Sequence, residues 1–304
     1  MITDRIKGIW PALITPLLEG DKVDVPAARH MARRLVDAGV HGILVLGSSG
    51  EGASLRPRVR REMVETVAEE VNGDVPLMVG SAQCNLDAVI EDAELARSVG
   101  AVALLAAPPF YGPLSGQALE DFYARLGTTS VVPIVVYNIP AFTHHTIPPD
   151  TVRRLAERGA ISGIKDSSRD FDYFQQVLSA LREDPDFWAF TGTDSLLMPA
   201  LLAGGCGGLT IGANLVPRLC VEIYDAVQQG KLEEARDLQH RLTRISVALR
   251  IGDFPAAAKT VLARLGLCED TPASPKRRLT ATERDVLEAE MVDLGVVQSA
   301  VGAL

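Results

Sequence analysis

Short apolar segments recur along the chain, and longer amphipathic stretches separate them. Each apolar segment is five to eight residues long and rich in Val, Ile, Leu and Ala, which is typical of buried strands in a parallel sheet. The stretches between them, such as residues 27–40 and 56–71, repeat apolar residues at helical spacing. The pattern therefore predicts alternating strands and helices. The eight predicted strands are residues 8–15, 42–47, 76–80, 101–107, 133–139, 161–166, 187–192 and 207–212.

Eight strand–helix units predict a closed barrel. Parallel strands need crossover connections, which are usually helices, and a ring of eight such units is the (β/α)8 or TIM barrel. The alternative is an open doubly wound sheet, which usually carries a glycine-rich nucleotide fingerprint after its first strand. No such fingerprint follows residues 8–15. We therefore predict an α/β fold, with a TIM barrel over residues 1–230.

The strand pattern stops near residue 230. Three helical patterns follow, and the last begins after Thr280 or Thr282, with Glu283 placed to complete a helix cap. We predict a helical extension over residues 231–304 that carries no obvious chemistry. Its helices are expected within residues 231–250, 254–266 and 280–295.

Composition narrows the classes of function. The chain of 304 residues is 47% hydrophobic and 23% charged, as expected of a globular protein with a large core. Its net charge of -9 and pI near 5.1 disfavour a nucleic-acid partner, because phosphate binding needs clustered Lys and Arg. The first residues lack the pattern of a signal peptide, and no apolar run is long enough to cross a membrane. We therefore expect a cytoplasmic protein without a membrane or nucleic-acid partner.

The positions of cysteine and histidine do not indicate a metal site. The cysteines have no CxxC or Cys/His spacing, so we expect four reduced thiols in or near the core. His144 and His145 follow the fifth predicted strand, where they either contact a substrate or lie in a solvated loop. A zinc site would need a carboxylate or a third histidine with them. The four cysteines are Cys84, Cys206, Cys220 and Cys268.

One lysine stands at the end of a predicted strand, where TIM barrels carry their chemistry. Lys165 ends the sixth strand and is the only lysine between Lys22 and Lys231, in a chain that otherwise uses arginine. Unlike arginine, a lysine can lose its proton and attack a carbonyl group. The alternative is a lysine at the rim of the barrel, paired with Asp166.

Hydroxyl groups follow two other predicted strands. Tyr137 ends the fifth strand, where its phenol can move protons, although a buried core tyrosine is the alternative. After the second strand, "GSSGE" at residues 47–51 supplies Ser48, Ser49 and a run of backbone N–H groups. Such a turn suits a carboxylate, and its hydroxyls can relay protons. An ordinary turn between strand and helix is equally compatible with this segment.

A glycine-rich segment, residues 204–214, surrounds the eighth predicted strand. Many barrels bind phosphate near strands seven and eight. The segment lacks the GK[ST] of a P-loop, however, and its glycines also fit a tight turn with close packing. We favour the packing interpretation.

The motifs together resemble the dihydrodipicolinate synthase and N-acetylneuraminate lyase family of Schiff-base, pyruvate-handling barrels. "PALITPL", "GSSGE", "PPFYG", "YNIP", "GIKDSS", "TGTD" and "TIGANLVP" occur in the order found in that family. The similarity covers nearly the whole chain, including the helical extension. The complete set of motifs is much more specific than any one of them.

The resemblance implies roles for residues near the strand ends. Lys165 would form the Schiff base with the 2-oxo acid, and Tyr137 would be the acid/base phenol. Ser48 and Ser49 match the hydroxyl pair that binds the pyruvate carboxylate and relays protons. Tyr111 matches a tyrosine that reaches into the site of a neighbouring subunit, and the family suggests a homotetramer. The covalent imine would serve in place of any cofactor, and no metal is expected.

Further positions match those that face the substrate in the family. Ile211 corresponds to a residue whose backbone carbonyl faces the bound keto acid. In the sugar-acid lyases, the positions of Ser167, Gly192 and Asp194 face the hydroxylated part of the substrate. The resemblance therefore implies that all four residues bind substrate.

Two departures from the family pattern bear on the substrate. The synthase branch has an arginine shortly after "YNxP" that holds the carboxylate of aspartate semialdehyde, whereas this chain has Phe142, which cannot replace a guanidinium. The neuraminate lyases usually have a glutamate after the aspartate of "TGTD", whereas this chain has Ser195. We therefore expect a shorter 2-oxo acid, such as a 2-keto-3-deoxy sugar acid or a hydroxy-oxo acid.

The expected activity is that of a class I aldolase. Lys165, as a neutral amine, condenses with the substrate ketone, Tyr137 takes the C4 hydroxyl proton, and the C3–C4 bond breaks to an aldehyde and a pyruvate enamine. One alternative is a dehydratase that uses the same imine, and another is 4-hydroxy-tetrahydrodipicolinate synthase. A non-catalytic keto-acid sensor is the alternative from another class, and the intact set of lysine, tyrosine and serines argues against it.

Overall fold

The chain forms a ring of eight parallel strands surrounded by helices. The computed structural model describes residues 6–298. Seven of the eight apolar segments singled out in the sequence contain one strand each, and the third strand extends one residue beyond its segment, to Ser81, so the α/β barrel and its strand order are confirmed. The strands are β1 (Gly8–Pro11), β2 (Ile43–Val45), β3 (Leu77–Ser81), β4 (Ala103–Ala106), β5 (Ile134–Asn138), β6 (Gly163–Asp166), β7 (Trp188–Thr191) and β8 (Gly207–Thr210).

The ring closes between β1 and its two neighbours. β1 pairs with β8 along its whole length, whereas β1 and β2 meet through a single parallel bridge between Ala12 and Leu44. Beside this bridge, the Leu13 amide donates to the Leu44 carbonyl at 2.8 Å. The side chain of Asn214 accepts from the Ile14 amide at 3.0 Å and donates to the Ala12 carbonyl at 2.9 Å. A side chain from the loop after β8 thus supports the weakest seam of the barrel.

Side chains alternate between the interior of the barrel and the layer under the helices, as strand geometry requires. In β5, Val135 and Tyr137 face the interior, whereas Val136 packs in the outer core. The interior also holds Trp10 and Phe190, which meet edge to face with ring centroids 6.1 Å apart. This interior is filled by side chains, so open space remains only at its ends.

Within residues 6–298, twelve α-helices connect and cover the strands. Asp24 caps the first by accepting from the Ala27 amide, and Thr280 and Glu283 form a reciprocal capping box on the last. The predicted cap at Thr280 is therefore confirmed. The helices are α1 (Val25–Asp37), α2 (Pro57–Val71), α3 (Leu86–Ser98), α4 (Gly116–Thr129), α5 (Pro140–Thr143), α6 (Pro149–Glu157), α7 (Phe171–Ala180), α8 (Leu197–Leu202), α9 (Pro217–Gln228), α10 (Leu232–Ala248), α11 (Ala256–Arg264) and α12 (Ala281–Asp293).

The C-terminal helices pack onto the barrel. Gln239 of α10 accepts from the Met198 amide at 2.7 Å and donates to the Asp194 carbonyl at 3.0 Å, which ties α10 to the segment after β7. The division predicted between residues 230 and 231 falls in the short link between α9 and α10 and stays a prediction. No helix within residues 6–298 combines the length and apolar character needed to cross a membrane.

Two local features differ from the sequence-based expectations. A short antiparallel hairpin of Leu17–Leu18 and Lys22–Val23 lies between β1 and α1, and its strands are too brief to leave a periodic signal. Cys84 is exposed in the loop between β3 and α3, so its expected place in or near the core is wrong. Cys220 is buried, and Cys206 and Cys268 are partly buried.

Candidate active site

Lys165 and Tyr137 lie side by side at the carboxyl ends of β6 and β5. They are register partners in the sheet, and both side chains point into the barrel. Lys165 is only 3% exposed, and its Nζ lies 4.5 Å from the centroid of the Tyr137 ring. Both belong to short strands that end at this rim, so the backbone fixes their separation.

Lys165 is not paired with Asp166, so the interpretation of a rim ion pair is wrong. Asp166 faces the other side of β6, because successive strand residues point in opposite directions. Its carboxylate accepts from Asn138 Nδ2 at 2.8 Å, from the Ser168 amide at 3.1 Å and from Ser168 Oγ at 2.9 Å. Burial raises the pKa of Asp166, and these hydrogen bonds oppose the rise. Within residues 6–298, no carboxylate forms an ion pair with Lys165.

The "GSSGE" turn brings two hydroxyl groups towards Tyr137. Ser48 Oγ donates to the Tyr137 hydroxyl at 3.3 Å, and Ser49 is 5% exposed beside them. The turn is held from the segment after β1, since Thr15 Oγ1 donates to the Gly50 carbonyl at 2.6 Å. A Cβ atom on Gly50 would lie 2.8 Å from the Leu13 carbonyl oxygen, so glycine permits this close approach.

The candidate residues at the strand ends meet in one cavity of about 470 Å³. The cavity opens at the carboxyl-terminal face of the barrel, where TIM-barrel enzymes place their active sites. It brings together all but one of the residues expected to act on or bind substrate. These are Ser48, Ser49, Tyr137, Lys165, Ser167, Gly192, Asp194 and Ile211.

Gly192 leaves the space that Lys165 occupies. A Cβ atom at Gly192 would lie 2.8 Å from Lys165 Cε and 1.9 Å from Ser167 Oγ. The Gly192 amide donates to the Asp166 carbonyl at 2.6 Å, and this hydrogen bond holds the backbone of Gly192 close to β6. The absence of a side chain here therefore determines where the lysine lies.

Asp194 is a buried acid on the wall of the same cavity. It is 3% exposed, and its Oδ1 accepts from the Gly212 amide at 3.1 Å. Burial raises the pKa of Asp194 to about 6, while hydrogen bonds and the charge of Lys165 oppose the rise. Asp194 therefore changes its charge near neutral pH.

Ile211 follows β8 directly and lines the cavity. Its carbonyl oxygen accepts from the backbone amide and from the side-chain Nδ2 of Asn214, both at 3.0 Å. The family resemblance implies that this carbonyl faces the bound keto acid. In this chain it already accepts two hydrogen bonds, both from Asn214. The glycines before Ile211 serve close packing, since a Cβ atom on Gly207 would lie 1.9 Å from the Gly8 carbonyl oxygen.

Tyr111 and the two histidines lie outside this cavity. Tyr111 is 94% exposed in the loop between β4 and α4, where it does not approach Lys165 of its own chain. His144 is exposed, with a left-handed backbone conformation, and does not line the cavity. His145 is buried, and its Nε2 lies 3.1 Å from the Gly112 carbonyl oxygen. His145 therefore neither lines the cavity nor lies in a solvated loop. Its contact with Gly112 instead packs the loop after β5 against the loop after β4.

Several cavity residues were not singled out in the sequence, whereas Phe142 was noted there only as a departure from the family pattern. Phe142 and Phe254 meet at the mouth with ring centroids 5.9 Å apart, and they also border an adjoining apolar cavity of about 430 Å³. Arg169 and Arg250 line the main cavity as well. The extension that was expected to carry no obvious chemistry thus contributes Arg250 and Phe254 to the wall. Contacts between segments far apart in the chain place these two residues on the wall, and no motif near them in the sequence predicts it.

Comparison with known proteins decides the family. A model of the dihydrodipicolinate synthetase family matches residues 5–293 of the chain. The chain belongs to this family. Membership of the dihydrodipicolinate synthetase family makes the protein a lyase, which confirms the enzyme class expected from its motifs.

Individual members of the dihydrodipicolinate synthetase family resemble the chain over its whole length. A DapA-like lyase of Halobacterium salinarum is 35% identical over 96% of this chain and 95% of that protein. A 4-hydroxy-tetrahydrodipicolinate synthase of Methanopyrus kandleri is 32% identical over 96% of this chain and 98% of that protein. Among solved structures, dihydrodipicolinate synthase of Bacteroides thetaiotaomicron has a TM-score of 0.89 and 33% identity, covering 95% of this chain and 98% of that one.

Proposed function

We propose that this member of the family is a class I aldolase that cleaves or forms the bond between pyruvate and an aldehyde through an imine on Lys165. One observation carries the proposal: a buried lysine, with no carboxylate partner among residues 6–298, lies in a cavity beside a tyrosine that is hydrogen-bonded to a serine. The expected substrates are 2-keto-3-deoxy sugar acids or hydroxy-oxo acids. The imine supplies the electrophile, so the proposed reaction needs no separate cofactor.

Two parts of the cavity wall support the placement of the keto acid. Ser48 and Ser49 line the side of the cavity next to Tyr137, where they can bind the carboxylate beside the reacting ketone. The ketone carbon then lies next to Lys165. Ser167, Gly192, Asp194 and Ile211 remain for the rest of the substrate.

The proposed reaction proceeds in balanced steps. The neutral amine of Lys165 attacks C2 of the 2-oxo acid, and Tyr137 gives its phenol proton to the departing C2 hydroxyl, so that water leaves and the protonated imine and a tyrosinate remain. The Tyr137 oxygen takes the proton of the C4 hydroxyl, the C3–C4 bond breaks, and its electron pair moves to the imine nitrogen as the aldehyde departs. The enamine is protonated at C3, and water then releases pyruvate and the free lysine. Ser48 can pass protons to and from Tyr137 along the 3.3 Å hydrogen bond.

Reductive trapping tests this assignment. Incubation with pyruvate and borohydride should add the reduced pyruvyl group to Lys165, as located by mass spectrometry of the peptides. Lys165→Ala should give no adduct, whereas Lys231→Ala, at an exposed lysine, should be labelled like the wild type. An adduct on another residue, or none in the wild type, rules out the proposal. A panel of 2-oxo acids assayed for free pyruvate separates an aldolase from a dehydratase, which releases none.

The second candidate is 4-hydroxy-tetrahydrodipicolinate synthase, the name of the Methanopyrus kandleri relative. Phe142 stands where the synthase branch has the arginine that holds aspartate semialdehyde, and its ring lies at the mouth of the cavity. We therefore expect condensation of pyruvate with aspartate semialdehyde to be no faster than its reaction with other aldehydes that end in a carboxylate. A faster reaction with aspartate semialdehyde would make the synthase the better assignment.

We further propose a homotetramer in the cytoplasm, in which the partner subunit's Tyr111 completes the site. The exposure of Tyr111, 94% in the single chain, supports a contact made only in an assembly. Sedimentation of the wild type and of Tyr111→Ala tests the assembly. A monomeric wild type that retains full aldolase activity would contradict this arrangement.

A further inference from the structure

The cavity carries two arginines that the proposed reaction does not use. Arg169 lies just after β6 in the segment that follows Lys165, and Arg250 lies between α10 and α11. We propose that Arg169 and Arg250 form a binding subsite for a carboxylate at the far end of the aldehyde, so that the substrate is a dicarboxylic hydroxy-oxo acid. This inference rests on the proposed aldolase function and specifies its substrate class.

Arg169 and Arg250 line the same cavity and lack anionic partners in the described chain. Burial, and then the charge of Arg250, lower the pKa of Arg169, so the two cations act on one another across the cavity. Within residues 6–298, neither side chain forms an ion pair or a hydrogen bond. By contrast, Arg154 and Arg277 pair closely with carboxylates of their own chain. An anion between Arg169 and Arg250 would relieve their mutual repulsion.

The backbone that carries Arg169 is fixed from both sides. Its φ is 64°, in the left-handed region that few non-glycine residues adopt. Ser168 before it binds the Asp166 carboxylate through both amide and hydroxyl, and Asp170 after it caps α7 by accepting from the Tyr173 amide. Asp166 therefore positions the turn that places Arg169 at the cavity.

The apolar part of the cavity wall suits the non-polar carbons of such an aldehyde. Phe142 and Phe254 both line the cavity and meet at 5.9 Å, so a short methylene chain can pass along their rings. Phe142 cannot bind a carboxylate, whereas the planar fork of an arginine binds one through two parallel hydrogen bonds. Acid recognition would thus come from β6 and the C-terminal extension, and not from the turn after β5.

The acidic residues of this region do not occupy the subsite. Asp194 is buried and accepts from the Gly212 amide, and Glu51 is paired with Lys259. Asp253 borders the adjoining apolar cavity and is not part of the lining of the main one. Two positive charges therefore remain on the wall, and the anion that they bind must come with the substrate.

Matched aldehydes test the subsite. The rate of aldol formation with pyruvate would be measured for succinate semialdehyde, for its amide and for butanal, which differ only at the far end. The variants are Arg169→Met, Arg250→Met and the double variant, with Arg182→Met at an exposed arginine as the control. Each protein would first be trapped with pyruvate and borohydride, so that loss of the imine is recognised separately from loss of the subsite.

We expect the wild type to prefer succinate semialdehyde over butanal by ~10- to 100-fold in kcat/KM, as for hydrogen bonds to charged groups. Each single variant should lose ~10-fold with the acid alone, and the double variant should show no preference. Higher salt should reduce the preference, because both arginines are exposed. The carboxylate subsite would be overturned if Lys165 is labelled but the wild type does not prefer succinate semialdehyde over butanal. It would also be overturned if glyceraldehyde 3-phosphate, assayed in the same way, is preferred over succinate semialdehyde. Failure to label Lys165 at all would instead overturn the aldolase assignment.

Discussion

Lys259 Nζ of α11 lies 2.5 Å from Glu51 Oε2, and the two side chains are completely inaccessible to solvent. Glu51 ends the "GSSGE" turn, and its other oxygen accepts from the Ala273 amide at 2.9 Å. Lys259 also donates to the Thr271 carbonyl at 2.7 Å. Burial lowers the pKa of Lys259, and the charge of Glu51 opposes that change. The turn that carries the serine pair is thus anchored to the C-terminal extension by a buried ion pair.

Removing one partner of this pair should destabilise the protein strongly. Lys259→Met leaves the buried Glu51 carboxylate with only the more distant Lys276, whose Nζ lies 3.6 Å from Glu51 Oε1 and whose side chain is 28% exposed, and we expect a loss of ~3 kcal/mol in the free energy of unfolding. Urea denaturation measures the loss. The double variant Glu51→Gln, Lys259→Met keeps an acceptor for the Ala273 amide and should recover part of it.

An exposed pair provides the control for the buried one. Arg153 and Glu157 also approach to 2.6 Å, but their side chains are 36% and 57% exposed. Arg153→Ala should therefore cost less than ~1 kcal/mol. If Lys259→Met is no more harmful than Arg153→Ala, the buried pair does not hold the turn.

The Tyr137 hydroxyl should matter for turnover more than for binding. Tyr137→Phe removes the proposed proton acceptor without changing the packing of the ring, so kcat should fall ~100-fold or more, as for other general acid/base groups. The borohydride adduct with pyruvate should still form on Lys165. Tyr123→Phe is the matched control, because its hydroxyl is also buried but donates to the Ala106 carbonyl. Equal effects of the two substitutions would contradict the role of Tyr137.

Gly192 should be essential for the position of the lysine. Gly192→Ala places a methyl group against Lys165 Cε and Ser167 Oγ, and displacing a reacting group by about 1 Å can lower the rate ~100-fold. Adduct formation with pyruvate should slow accordingly. A second substitution, Ser167→Gly, removes the closer contact and should restore part of the rate. Gly116→Ala, where a Cβ atom has no neighbour within 4 Å, should have no such effect.

Asp194 should make stability depend on pH in a specific direction. Its pKa is raised from 3.8 to about 6 in the folded protein, which therefore binds the proton more tightly than the unfolded chain. The stabilisation is present below pH 3.8 and is lost as the pH rises towards 6. Relative to Asp194→Asn, the unfolding free energy of the wild type should fall by ~2 kcal/mol between pH 4 and 7. Denaturant titrations across this range measure the difference in unfolding free energy between the two proteins. A difference that does not change with pH would show that the pKa of Asp194 is not raised in the folded protein.

The barrel could be predicted from the sequence because its signal is local. Each strand is a short apolar run and each crossover is an amphipathic stretch, so the order of elements follows from patterns within about 20 residues. Lys165 and Tyr137 end adjacent strands in that order, and their proximity follows from the topology alone. The hairpin at Leu17–Leu18 is missed, since two residues cannot show a period.

Contacts between distant segments could not be predicted in this way. Nothing near Glu51 identifies Lys259 as its partner, and nothing near Arg250 places it beside Arg169. The pairing of Lys165 with Asp166 is a different error, because the alternation of side chains along a strand already places the two on opposite faces. Applying that alternation to β6 would have excluded the pair from the sequence.

The cavity at the end of the barrel has two origins along the chain. The lysine lies on strand β6, but Arg250 and Phe254 of its wall come from the link between α10 and α11, beyond the last strand. Evolutionary change in this short link can therefore alter which aldehydes fit while the eight strands and their lysine stay as they are. In this way the same barrel can come to act on a different aldehyde when a few residues of the C-terminal extension change.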